Sequence, residues 1–116
     1  MGVHHTIDYV EFPANDLGAA KEFYSAAFGW RFNDYGPGYA GFVYAGAECE
    51  SGGISSDPSH TPAPLAILYS DNLESSEQRV KEAGGTITKP IFSFPGGRRF
   101  HFADTSGNEL AVWSDK

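Results

Sequence analysis

Residues 9–17, Tyr-Val-Glu-Phe-Pro-Ala-Asn-Asp-Leu, return in altered form as residues 65–73, Leu-Ala-Ile-Leu-Tyr-Ser-Asp-Asn-Leu. In both copies a strand-like run leads through Asn and Asp to a leucine that opens a helix-like segment. A glycine, Gly29 in the first copy and Gly85 in the second, follows that segment. The starts, the leucines and the glycines each lie 56 positions apart. Three landmarks at one offset indicate an internal duplication across most of the 116 residues.

Both helix-like segments have apolar residues at helical spacing, although the second has fewer of them. The first predicts a helix with one apolar face, formed by Leu17, Ala20, Phe23, Tyr24, Ala27 and Phe28. Asn15 or Asp16 can cap its first N–H groups, and Gly29 can end it in a left-handed conformation. The second predicted helix, over 73–83, has only Leu73, Val80 and Ala83 on its inner face.

Three strand-like runs separated by turn residues follow each helix. They are residues 30–35, 39–45 and 52–56 in the first half, and 86–94, 98–104 and 109–114 in the second. The order β-α-β-β-β, found twice, predicts an α+β fold. We expect one domain over 1–116 that is built of two modules, about 5–57 and 64–115. The Pro-rich residues 57–64 are interpreted as a linker rather than a strand.

Charge and cysteine content limit the partners and the compartment. The chain has 15 acidic and 8 basic residues, a net charge of −7. This balance argues against nucleic acid and against anionic membrane surfaces as partners. The single cysteine, Cys49, favours a reducing cytoplasm. We expect no membrane span and no signal peptide, because no apolar run is long enough and the first residues lack a basic segment.

A doubled βαβββ unit resembles the vicinal oxygen chelate superfamily, which includes glyoxalase I, extradiol dioxygenases and bleomycin-resistance proteins. The resemblance covers the whole chain. It is carried by 16–17, 23–24, 28–30, 83–85 and the turn 102–108, Phe-Ala-Asp-Thr-Ser-Gly-Asn, where Thr105 replaces the family's proline. The resemblance implies two curved units whose mixed sheet encloses a cavity. It also implies a small-molecule ligand and a homodimer.

In the family's enzymes, two His and two Glu hold a divalent metal in that cavity. The metal polarises vicinal oxygens of the substrate. By spacing from the family motifs, the four ligand positions correspond to Tyr9, residues 52–54, Leu65 and Ala111. Residues 52–54 hold no acid or imidazole, although Glu50 is near. Leu and Ala cannot bind a metal, and a neutral Tyr is a poor ligand. We therefore expect no metal and no cofactor at the usual site.

Strand alternation predicts which side chains share the cavity face with those positions. If the turn pairs Asp104 with Asn108, then His101 lies opposite Ala111 and Arg99 opposite Trp113. Arg98, Phe100 and Phe102 then face the other way, toward a helix. The expected ligand-binding residues, on one pocket, are Tyr9, Glu11, Tyr69, Arg99, His101, Glu109 and Trp113.

Each of these side chains also has a purely structural interpretation. Glu11 could be solvated at the sheet margin, and Arg99 could form a cation–π pair with Trp113. His101 could be a core imidazole bonded to Glu11 or Tyr69, a general base, or part of a displaced metal site with Glu11 and Glu109. His4 and His5 are expected to be solvated. The role of four aromatic residues, as core, pocket wall or interface, stays open: Tyr35, Tyr39, Phe42 and Tyr44.

Three classes of function fit these residues. The first is a metal-independent protein that binds a planar or aromatic small molecule, as the bleomycin-resistance-like relatives do. The alternative is an enzyme, a glyoxalase-like lyase or isomerase that uses His101 and Glu11 or a non-standard metal site. The third is a structural or regulatory module whose cavity is filled by its own side chains. Whether the chain is an enzyme is left open by its sequence, and no catalytic residue is assigned.

Overall fold

A computed structural model describes residues 2–116, which form eight strands and two helices. The elements are β1 (Ile7–Pro13), α1 (Leu17–Phe28), β2 (Arg31–Asp34), β3 (Tyr39–Val43), β4 (Gly52–Ser55), β5 (Leu65–Tyr69), α2 (Leu73–Glu82), β6 (Thr86–Phe94), β7 (Gly97–Ala103) and β8 (Glu109–Ser114). The predicted order β-α-β-β-β is confirmed in both halves, and the predicted α+β class is correct. Residues 57–64, interpreted as a linker, contain no strand.

The chain divides into two compact units. The N-terminal unit is Tyr9–Pro64, and the C-terminal unit combines the residues up to Asp8 with Leu65–Lys116. The first residues join the second half through backbone bonds: His5 N donates to Tyr69 O (2.8 Å), and Tyr69 N donates to Thr6 O (3.1 Å). The division into modules at about 5–57 and 64–115 stays a prediction. Neither helix in residues 2–116 has the length and apolar character needed to cross a membrane.

The N-terminal unit is a mixed sheet in the order β2-β3-β4-β1, with only the β1–β4 pair parallel. Asp16 caps α1 by accepting a hydrogen bond from Ala19 N (3.0 Å), and Gly29 ends the helix at φ 71°. Tyr24 of α1 stacks between Phe12 of β1 and Trp30, with ring centroids 5.9 and 4.9 Å away. Aromatic rings therefore fill the space between this helix and its sheet.

The C-terminal unit has the order β5-β8-β7-β6, with β5 and β8 parallel. Its core is Leu73 of α2 with Phe100 and Val112 of the sheet. The register predicted from the turn is confirmed, since Arg99 pairs with Trp113 and His101 with Ala111. On the helix side of β7, Arg98 bonds to Glu74 of α2, and Phe100 and Phe102 pack with the core. Arg99 and His101 therefore lie on the sheet face opposite α2.

Candidate functional site

His101 is a buried polar residue on the face of the C-terminal sheet opposite α2. Its side chain is almost fully buried, and the residue is 2% exposed. Nδ1 lies 3.3 Å from Glu109 Oε2 of the neighbouring strand, while Nε2 is buried without a hydrogen-bond partner in residues 2–116. Burial, followed by the positive charge of Arg99, lowers the pKa of His101 to about 4. The imidazole is therefore neutral at pH 7. Nδ1–H donates to the carboxylate, and Nε2 keeps a free lone pair.

This arrangement corrects one expectation. Glu11 and Tyr69, the hydrogen-bond partners considered for a core His101, were wrong, because the partner of Nδ1 is Glu109 and Nε2 has none in residues 2–116. The pairing follows from the hairpin, since β7 and β8 place residue 101 beside 111 and residue 103 beside 109. A side chain as long as glutamate reaches back along the strand to the imidazole.

Aromatic rings of β6 lie beside this histidine and its neighbour Arg99. The Phe92 ring centroid is 5.8 Å from that of His101, and the Arg99 guanidinium lies over Phe92 and Phe94 at 5.6 and 5.8 Å. The alternative of a cation–π pair between Arg99 and Trp113 was wrong in its partner, because β6, the other neighbour of β7, supplies the rings. The ring centroids of Trp113 and Phe94 are 6.4 Å apart.

Trp113 and Tyr69 are held by acidic residues on the same unit. The Trp113 indole N–H donates to Asp8 Oδ2 at 2.9 Å, and the Tyr69 hydroxyl donates to Asp115 Oδ1 at 2.6 Å. The two rings meet edge to face, with centroids 5.3 Å apart. The hydrogen bond to Asp115 raises the pKa of Tyr69, so the phenol stays protonated. Both aromatic side chains are therefore fixed in orientation.

Glu11 is the centre of a second polar cluster, in the N-terminal unit. It is 4% exposed, so its interpretation as a solvated residue was wrong. Its Oε2 accepts from the Tyr39 hydroxyl at 2.8 Å, and its Oε1 lies 3.0 Å from His60 Nε2. The other ring nitrogen of His60 is 2.7 Å from Thr61 O. A carbonyl only accepts, so Nδ1–H of His60 donates to Thr61 O, and Nε2 faces the Glu11 side chain.

His60 was missed by sequence reasoning because it lies in the segment interpreted as a linker. Its side chain is 5% exposed, as is that of Glu11. The available signal was weak. Prolines at positions 58, 62 and 64 stiffen the segment, and a stiff connection can hold one side chain in place.

Tyr9 connects this cluster to Glu50. The Tyr39 hydroxyl is 3.3 Å from that of Tyr9, which is 3.4 Å from Glu50 Oε1. Glu50 Oε2 also accepts from Asn33 Nδ2 at 2.8 Å and from the Tyr35 hydroxyl. Burial raises the pKa of Tyr9 to about 12 and that of Tyr39 further. Both phenols are therefore hydrogen-bond donors at neutral pH.

The residues at the family's four metal-ligand positions do not fit a metal. Leu65 and Ala111 are fully buried and offer no donor atom. At the second position, a Cβ on Gly53 would lie 2.0 Å from the Tyr39 hydroxyl oxygen, so a phenol fills the space where a ligand side chain would begin. Tyr9 is engaged by Tyr39 and Glu50.

The displaced metal site also lacks support. Within residues 2–116 no three His, Cys, Asp or Glu side chains lie together in a way that could hold a metal ion.

The remaining residues that the sequence singled out differ in burial and in their partners. Phe42 is core, Tyr39 belongs to the Glu11 cluster, and Tyr35 and Tyr44 are exposed. His4 and His5 are exposed, as expected, but each has a partner: His4 Nδ1 is 2.9 Å from Asp71 Oδ1, and His5 Nε2 is 2.9 Å from Ser76 Oγ.

Two curated relatives resemble the chain over most of its length. A "Putative glyoxylase CFP32" from Mycobacterium bovis is 26% identical over 117 residues, which cover 93% of this chain and 45% of that protein. The chain thus spans less than half the length of that relative. A "Glyoxylase-like domain-containing protein" from Didymella fabae is 30% identical over 124 residues, covering 97% of this chain and 95% of its own.

A solved structure and a family model agree with these relatives. The Mn(II)-bound glyoxalase from Novosphingobium aromaticivorans superimposes with a TM-score of 0.70 at 22% identity, covering 99% of this chain and 40% of that one. This likeness shows the fold. The family model for the Glyoxalase/Bleomycin resistance protein/Dioxygenase superfamily matches residues 6–112. With the duplicated βαβββ order and the Didymella relative, this match shows that the chain belongs to that superfamily.

Proposed function

We propose that this protein binds a planar or aromatic small molecule without the help of a metal. The observation that carries the proposal is the buried His101, whose Nε2 lone pair has no hydrogen-bond partner in residues 2–116 and whose ring lies beside that of Phe92. An unsatisfied buried acceptor costs about 1–3 kcal/mol, so a bound molecule that donates a hydrogen bond would recover that loss. Aromatic rings with a few placed polar groups are typical of ligand sites.

Each proposed ligand contact has a chemical role. In the C-terminal unit, His101 accepts a hydrogen bond, Arg99 attracts an anionic group, and Tyr69 and Trp113 provide aromatic surface. Glu109 holds the His101 tautomer. In the N-terminal unit, we propose Tyr9 and Glu11 as further contacts. That all seven residues line one pocket stays a prediction.

A thermal-shift screen followed by calorimetry tests the proposal. The probes are isomeric hydroxynaphthoates and their methyl ethers, which are planar anions with and without a hydrogen-bond donor. We expect at least one hydroxynaphthoate to raise the melting temperature and to bind at least tenfold more tightly than its methyl ether. In His101→Phe this preference should vanish. No binding by any planar probe would refute the proposed function.

A second candidate function, a lyase or isomerase that uses His101 and Glu11, is favoured by one observation. A neutral imidazole whose Nδ1–H is held by a carboxylate is the form that removes a proton from a substrate. The test is deuterium incorporation at the carbon next to the carbonyl of dihydroxyacetone in D₂O, followed by NMR. Exchange that is lost in His101→Gln would support catalysis, and exchange at the rate of buffer alone would contradict it.

We further propose a cytoplasmic location and a homodimer. The free, exposed Cys49 supports the first, because a thiol persists in a reducing compartment. Exposed aromatic residues support the second. Phe23 and Phe28 of α1 are about 60% exposed. Neighbouring large apolar side chains on one exposed helix face are typical of surfaces that another chain covers.

A further inference from the structure

A cavity of about 590 Å³ lies beside α2 in the C-terminal unit, on the sheet face that the proposed site does not use. Four apolar side chains, Leu68, Val80, Phe102 and Val112, form its floor. His5, Ser76, Arg79, Glu82 and Ala83 complete its lining. The volume is within the range of small-molecule sites, about 300–1,000 Å³.

The duplication explains why this cavity exists. In the N-terminal unit the equivalent space is filled by rings, with Tyr24 stacked between Phe12 and Trp30. The residues 56 positions later are Val80, Leu68 and Thr86. Each ring is thus replaced by a smaller side chain, and Val80 of α2 leaves open the space that Tyr24 fills in the other unit. An apolar molecule of about the size of the missing rings would fill it.

The rim of the cavity is polar and includes a cation. No hydrogen bond or ion pair joins the Arg79 guanidinium to another side chain within residues 2–116. Across the lining, His5 Nε2 lies 2.9 Å from Ser76 Oγ, which is 2.7 Å from Ser70 Oγ. Glu82, the acid of the lining, lies 3.2 Å from the amide of Gln78. Arg79 is therefore the group available to an anionic head, and arginine suits carboxylates because it donates two parallel bonds.

We propose that this cavity is a second ligand site, which takes a small amphipathic carboxylate. The apolar body rests on Leu68, Val80, Phe102 and Val112, and the carboxylate pairs with Arg79. The site does not depend on the His101 face, because β7 and β8 point Phe102 and Val112 away from that face.

Titration with sodium octanoate, followed by ¹H–¹⁵N NMR, tests the proposal, with 1-octanol as the matched neutral probe. We expect octanoate to shift the amide signals of residues 68, 76–83, 102 and 112 in a saturable way. Arg79→Ala should weaken octanoate binding at least tenfold and leave octanol binding unchanged. Lys81→Ala removes an equal charge from the same helix outside the lining, and it should leave both probes unaffected.

A filling variant tests the cavity itself. Val80→Tyr copies Tyr24 of the other unit and should abolish binding of both probes while the spectrum stays folded. If this variant does not fold, the Arg79 and Lys81 comparison still decides. Shifts confined to other residues, equal losses in Arg79→Ala and Lys81→Ala, or no saturable shift with octanoate would overturn the proposal.

Discussion

At the scale of single residues, the buried His101 is the side chain on which the proposed function depends most. His101 is held neutral by burial, and the charged and titratable groups that act on it are Glu109, Arg99 and Lys89. Strand alternation places residue 101 on the sheet face opposite α2, and this could be predicted from sequence. Its bond to Glu109 could not be predicted, because it depends on the reach of one side chain.

His101 predicts a pH dependence of stability. Its folded pKa of about 4 lies below the ordinary 6.5, so the unfolded chain binds more protons between these values. The stabilising contribution is complete above pH 6.5 and is lost as the pH falls toward 4, by up to about 3 kcal/mol. Urea unfolding between pH 7.5 and 4.5 measures it. His101→Phe should show a smaller loss across this range, and an unchanged loss would contradict the burial argument.

Arg99 and Arg98 form a matched pair on opposite faces of β7. Arg99→Ala should weaken binding of the hydroxynaphthoate probe by about 1.5–3 kcal/mol, the worth of a charge-assisted hydrogen bond. Arg98→Ala should have little effect, because Arg98 bonds to Glu74 of α2 and to the Lys116 carbonyl on the helix side. Calorimetry of both variants is the measurement. Equal losses would mean that the binding face was misassigned.

At the scale of elements, the hairpin β7–β8 and helix α1 could be predicted because their signals are local. A turn fixes the register of the strands that it joins, and Asp16 and Gly29 mark the ends of α1. The segment 57–64 could be predicted only as irregular. The burial of His60 in it depends on a contact with Glu11, 49 positions away, for which the sequence has no periodic signal.

The Glu11–His60 pair predicts that the linker stabilises the N-terminal unit. His60→Ala leaves a buried carboxylate with one fewer partner and should cost about 3–5 kcal/mol of unfolding free energy. Ser59→Ala, on the same segment and exposed, should cost much less. In the His60→Ala background, a further Glu11→Gln change should cost less than it does alone. Additive losses would show that the two side chains act independently.

At the scale of the whole molecule, the duplication predicted the fold, and the family match confirmed it.

The assembly of the chain into a dimer stays a prediction. We expect a two-fold dimer, so light scattering at tens of micromolar should give about twice the 12.5 kDa chain mass. Replacement of the exposed Phe23 and Phe28 by Ser should shift the mass toward a monomer if α1 is the interface. A wild-type mass near 12.5 kDa would refute the dimer.

Metal independence is tested most directly by one comparison: calorimetric titration of the hydroxynaphthoate probe before and after exhaustive removal of metals, with the metal content of each sample measured. Since Tyr9, Gly53, Leu65 and Ala111 cannot form the family's metal site, the purified protein should hold no stoichiometric Ni, Zn, Fe or Mn. The dissociation constant and melting temperature should be the same in both samples. One tightly held metal ion per chain, with binding and melting temperature lost on chelation and restored by Mn²⁺, would contradict the proposed function.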